Sequence, residues 1–181
     1  MTVAFASRWI ETPAHVAETR GGLPAGFRAS GVACGLKPSG SLDLGLLVSD
    51  EPETVSAARF TRSGVLAAPV LLTQERCRLA AIRAVVANSG NANAATGRRG
   101  LDDAARMQGG GAMAAGVPED QVAVASTGVI GVHLDTDKIM RGIADVRREL
   151  SPEGDDLFGE AIRTTDKFVK SASLEVRLSN L

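Results

Sequence analysis

Tyrosine is absent from this 181-residue chain, and one Trp and five Phe bring the aromatic share to only 3%. No aromatic residue interleaves with the basic pairs Arg98-Arg99 and Arg147-Arg148, which leaves no platform for stacked bases, and the pairs read as solvated surface. Imidazoles and thiols are also scarce: His15, His133, Cys34 and Cys77 are the full set. Scattered this way they match no zinc spacing, and a Ser-His-Asp triad would have to use one of two isolated histidines. His133 reads as a structural hydrogen-bonder, and the two cysteines as small buried apolar residues of a reducing compartment. Charge of one sign is lacking too. Lys plus Arg is 20 and Asp plus Glu is 21, net −1, so no global field draws in nucleic acid or anionic lipid. No apolar run reaches 18 residues, and residues 1–20 carry Arg8, Glu11 and Glu18 where a signal peptide or anchor needs apolar side chains. The expected location is cytoplasmic, with no membrane partner.

Phosphate motifs are missing as well. Neither G-x-x-x-x-G-K-[ST] nor G-x-S-x-G occurs, and Gly109-Gly110-Gly111-Ala112-Met113-Ala114 fits a dinucleotide fingerprint only formally, because it lies inside a helical pattern. What the chain has in abundance is small residues: 28 Ala and 20 Gly. At 18.7 kDa about 70% of the extended chain's surface can be buried, enough for one core. One folded unit over 26–181 is expected, preceded by an arm over 1–25 that Pro13, Gly21, Gly22 and Pro24 punctuate.

Short apolar or alternating runs at 27–35, 42–49 and 55–61 are separated by Lys37-Pro38-Ser39-Gly40 and Asp50-Glu51-Pro52-Glu53, predicting a three-stranded meander. Pro69 suits a first helical turn ahead of 70–78. The β-branched run 82–87 predicts a buried strand, followed by a structured loop over 88–97 rich in Asn and Gly. A helix over 101–116 contains three consecutive glycines, so it either frays or packs very closely. A strand over 121–126 ends at a glycine turn, and Asp135 or Thr136 caps a helix with the stripe Ile139, Ile143, Val146, Leu150. A helix over 155–162 and a strand over 174–178 complete an α/β reading with largely antiparallel strands.

Two loops carry candidate chemistry. Ser126-Thr127-Gly128 sets a hydroxyl beside an unobstructed backbone N–H, the donor pair of an oxyanion hole, and is equally an ordinary strand-ending turn. Thr164-Thr165-Asp166 offers hydroxyls and a carboxylate to an amino-acid ligand, or caps the next element. Spacing alone favours the cap.

Seven stretches in order are more specific than any one of them: Gly31 to Gly40 with Lys37-Pro38-Ser39-Gly40, then Asp43-Leu44-Gly45-Leu46-Leu47-Val48, Phe60-Thr61-Arg62, Ala67-Ala68-Pro69-Val70, Asn88 to Ala94 with Thr96-Gly97, Ser126 to Gly131, and Thr164-Thr165-Asp166. Together they resemble the N-terminal half of the ornithine acetyltransferase (glutamate N-acetyltransferase) family of arginine biosynthesis, over about residues 25–178. The resemblance implies a layered α-β-β-α sandwich of the N-terminal-nucleophile type that cuts itself into α and β chains. This chain looks like α, paired with a β chain from the same precursor, in an α2β2 assembly. It implies transfer of an acetyl group from N-acetylornithine to glutamate through a Thr acyl-enzyme on the β chain, with acetyl-CoA as a further candidate donor. Such a Thr uses its own α-amino group as base, so no metal or cofactor is expected. By motif, Thr127 and Gly128 correspond to the oxyanion pair and Thr164 to a substrate ligand, with Thr165 and Asp166 holding that turn. The family's Lys-Gly-x-Gly-Met and Ala-Thr-Met stretches do not occur in this sequence, so a missing tail of α is expected. Arg163 and the triple glycine depart from the family pattern and bear on substrate preference. A self-processing aminopeptidase and a non-catalytic binding module are the rival readings.

Overall fold

A computed structural model describes residues 13–19 and 21–178. The central sheet has the order β2-β3-β4-β5, built from β2 (Phe27–Val32), β3 (Leu44–Ser49), β4 (Ala84–Asn91) and β5 (Val122–Val129). The first two junctions are antiparallel and β4–β5 is parallel. Helices α1 (Ala68–Arg76), α2 (Gly97–Ala115) and α3 (Thr136–Arg148) cover one face. That face presents Leu44, Leu46, Val48, Ala84, Val86, Val122 and Val124, which pack with Met107, Ile139, Ile143 and Val146 into one core. Large aliphatic side chains removed from water supply the main driving force here.

The opposite face carries a row of small residues. Gly31, Gly45, Ala87 and Ala125 follow one another across the four strands in register. Over its β2–β3 half lies α4 (Asp155–Ala161), so close that a Cβ at Gly31 would sit 2.2 Å from the Leu157 carbonyl oxygen and one at Gly45 2.8 Å from the Phe158 ring. Over its β5 half, Ala125 and Thr127 are exposed. The α/β fold class expected from the sequence is thus present, with three helices on one side of the sheet and, on the other, a face that α4 covers only in part.

Local chemistry explains most boundaries. Pro69 stands in the first turn of α1. Asp135 is the N-cap of α3, its carboxylate accepting from Lys138 N–H at 3.1 Å. Glycines 109–111 pack instead of fraying: a Cβ at Gly110 would meet Ile143 at 2.9 Å and one at Gly111 would meet Val86 at 3.0 Å.

Three expectations are corrected. Residues 55–61 form no strand: the segment is extended and Ser56 ties it to the 79–82 turn, its hydroxyl donating to Leu79 O and its N–H to Ala80 O. Both sides of β3 are already taken by β2 and β4, so the segment finds no ladder. The strand ends expected at 87 and 126 lie further on, because the β4–β5 ladder continues through Asn88–Ser126, Ser89–Thr127 and Gly90–Gly128 before a bulge at Asn91. Turn-type residues sit inside a ladder there, and their local signal misleads. Finally, within the stretch read as an arm, β1 (Val16–Thr19) pairs antiparallel with β6 (Ser173–Val176). Residues 1–12 lie outside the described part.

Candidate active site

The C-terminal end of β4 and the loop after it carry the buried polar residues Asn88, Ser89, Asn91 and Asn93, where backbone groups must be satisfied within the protein. Three asparagines supply the partners. Asn88 Nδ2 donates to Asn91 O at 2.9 Å while its Oδ1 accepts from Ser126 Oγ at 2.6 Å. Asn91 Nδ2 donates to the carbonyls of Val132 and His133, and its Oδ1 accepts from Asn93 N–H at 2.7 Å. Asn93, at φ +44°, donates from Nδ2 to Gly100 O at the start of α2 and accepts from Thr96 Oγ1. One buried network therefore binds β4, the 130–134 loop and the N-terminus of α2. No individual role for these asparagines was legible in the sequence.

Beside the network stands Thr127, exposed, whose hydroxyl makes no hydrogen bond among the described residues. Gly128 follows at φ +133°, and a Cβ there would lie 2.4 Å from the Gly90 carbonyl carbon and 2.6 Å from Asn91 N. Only glycine fits, on conformational and steric grounds together. This fixes the Thr127–Gly128 peptide against β4 while leaving its other side open. A free hydroxyl and a rigidly held backbone donor at an open strand end are the parts needed to stabilise a developing oxyanion.

Ser89 pairs with Thr127 across the ladder, and its buried hydroxyl donates to Ala161 O at 2.5 Å. Thr164 lies three residues beyond that carbonyl, so it is brought to the same end and the same face of the sheet as Thr127. Thr164, Thr165 and Asp166 are all exposed. Arg163 braces their turn: Nη1 donates to Asp166 O at 2.7 Å and the guanidinium engages Glu160 through Nε and Nη2. Each partner holds the other in its charged form, Glu160 below the usual carboxylate range and Arg163 above its own.

The preceding loop is organised by Asp43, fully buried, whose carboxylate accepts from the backbone N–H groups of Cys34, Gly35, Leu36 and Lys37 at 2.6–3.1 Å. Burial and the Asp43 hydrogen bond push the Cys34 thiol up to about 12. Cys34 is thus a packing residue, as read from the sequence; Cys77 likewise is held by Gln108 and has its thiol raised by burial. Asp43 was quotable as part of a motif, but its role was not; a carboxylate just past a Gly- and Pro-containing loop was the available signal. Both histidines are exposed; His15 O accepts from Arg177 N–H and His133 O from Asn91 Nδ2. Among the described residues no group of His, Cys, Asp and Glu could hold a metal ion, and no helix is long and apolar enough to cross a membrane.

The model of the ArgJ family matches residues 28–180. The chain belongs to the ArgJ family. Arginine biosynthesis bifunctional protein ArgJ of Symbiobacterium thermophilum is 45% identical over 157 residues, 86% of this chain and 39% of that protein. The ArgJ of Bacillus subtilis is 44% identical over 156 residues, 86% of this chain and 37% of that one. The chain thus spans about two fifths of the length of these curated ArgJ relatives. Among solved structures, ornithine acetyltransferase from Mycobacterium tuberculosis, complexed with ornithine, is 41% identical with a TM-score of 0.83 over 88% of each chain. The ArgJ structure from Bacillus halodurans is 39% identical with a TM-score of 0.82, covering 92% of this chain and 88% of that one. At these values the backbone is shared along with the sequence, in agreement with the fold class and the family resemblance read from the motifs.

Proposed function

We propose that this chain is the α part of a self-processing acetyltransferase that moves an acetyl group from N-acetylornithine to glutamate. The observation that carries this reading is the open end of β5, where the Thr127 hydroxyl, without a partner among the described residues, adjoins the Gly128 backbone in an ArgJ-family chain. In the proposed mechanism a Thr hydroxyl at the start of a β chain attacks the acetyl carbonyl, and its proton passes to that residue's own α-amino group. Thr127 Oγ1–H and Gly128 N–H hold the resulting oxyanion. Ornithine leaves with the proton, and the glutamate amine then attacks the acyl-enzyme and regenerates the Thr. Thr164 contacts the amino-acid portion of the substrate. Acetyl-CoA would enter by the same acyl-enzyme, which an assay with glutamate and acetyl-CoA checks.

A β partner is supported by what the sheet leaves uncovered. The edge strand β5 runs into exposed Val129, Ile130 and Val132, and Ala125 and Thr127 stand open on the small-residue face. A second sheet laid over that face would complete an α-β-β-α sandwich. Two such αβ pairs would make the proposed α2β2 assembly. The deciding experiment is intact-mass analysis of the purified full-length protein. The proposal expects two fragments, one beginning with Thr, and a gain of one acetyl group on that fragment after incubation with N-acetylornithine. An uncut protein that takes up no acetyl group would overturn it and favour a binding module.

A further inference from the structure

The geometry points to Lys37 as a positioning residue that sets the spacing between the oxyanion pair and the substrate-binding turn. Its ammonium donates to Leu42 O and Arg163 O, both at 2.7 Å, the second across 126 positions of sequence. Arg163 O directly precedes Thr164. The carbonyls at the end of a helix lack partners within it, and here Ala161 O is held by Ser89 of β4 and Arg163 O, just past α4, by Lys37 of the β2–β3 loop. A cation is also the favoured charge at a helix C-terminus.

The other end of Lys37 is fixed as firmly. Its backbone N–H donates to buried Asp43 at 2.9 Å. Its stem lies over Gly90, where an added Cβ would be 3.3 Å from Lys37 Cγ and 3.2 Å from the Leu36 carbonyl carbon. Gly90 is the residue paired with Gly128. One side chain therefore runs from Gly90, the ladder partner of Gly128, to the residue preceding Thr164. Partial desolvation of the ammonium lowers its pKa.

This role rests on the proposed reading of Thr164 as a substrate ligand, and the test separates the two. In the full-length protein, Lys37→Met keeps the stem and removes the donors. Amide hydrogen exchange over residues 163–167 should rise about tenfold with β4 and β5 unchanged, KM for N-acetylornithine should rise about tenfold, and kcat should stay within about twofold. Unchanged exchange overturns the strut. Thr164→Val, measured alongside, tests the other half: raised exchange in Lys37→Met with no KM change in either variant keeps the strut and removes Thr164 from substrate binding, overturning the positioning role. If Lys37→Met does not fold, Lys37→Arg carries the test, because the longer guanidinium fork displaces the turn and should raise KM about threefold with exchange still protected; a parental KM overturns the proposal.

Discussion

The two ends of the β4–β5 ladder perform different work with the same backbone geometry. At the N-terminal end Val86, Val122 and Val124 are buried beneath α2, and the helix comes close enough that Gly111 touches Val86. At the C-terminal end Asn88, Ser89, Gly90 and Asn91 face Ser126, Thr127 and Gly128, with exposure rising from the buried Asn88 to the open Thr127. One end is stabilised by apolar burial, the other by directed hydrogen bonds that leave the Thr127 hydroxyl without a partner among the described residues. A parallel ladder can thus carry a core and the proposed reaction site a few residues apart, provided that the polar end draws its rigidity from side chains such as the three asparagines.

The comparison breaks most severely at Asp43, which anchors the polar end through four backbone donors. Asp43→Asn turns an amide toward those N–H groups and should cost about 3 kcal/mol or more, read as a lowered denaturant midpoint. Val86→Ala attacks the apolar end instead. It should cost about 2–3 kcal/mol, with acetyl-transfer rate per folded molecule within twofold of the parent. Asn91→Ala should cost about 1–3 kcal/mol and, by releasing the 130–134 loop, also slow acetyl transfer; loss of stability without loss of rate would show that the network serves only the fold. The smallest effect is chemical: with its thiol pushed up to about 12, Cys34 has a thiolate fraction of about one in 10⁴ at pH 8, so native protein should resist iodoacetamide at that residue. Rapid alkylation would mean that the 34–37 loop opens.

How much of this the sequence disclosed follows the same division. The apolar end was readable, because its signals are local and periodic: the Ile139, Ile143, Val146 stripe with its Asp135 cap, Pro69 at the start of α1, and the β-branched core of β4 all stand where the pattern put them. At the polar end local signals competed with the ladder. Asn and Gly at 88–91 and Gly128 carry turn chemistry, yet strand pairing extends through them, since Gly90 and Gly128 reach positive φ without leaving it. Long-range contacts were invisible for a different reason. Nothing in the periodicity of β1 indicates β6 as its partner, and nothing near Lys37 indicates a carbonyl 126 residues away. Local residue chemistry marked Thr127, Gly128 and Thr164 as candidates, but ordinary turns and caps explained them as well, and it was their order among the family motifs that favoured the functional reading.

The most direct test of the claim that the polar end of β5 is the reaction site is the acetyl-transfer rate of Thr127→Ala in the full-length protein, measured with its unfolding temperature. Thr127 is exposed and its hydroxyl is unpaired among the described residues, so its removal leaves no buried group unsatisfied. The account predicts a rate lowered about 10²–10³-fold with the unfolding temperature essentially unchanged. A parental rate would contradict it.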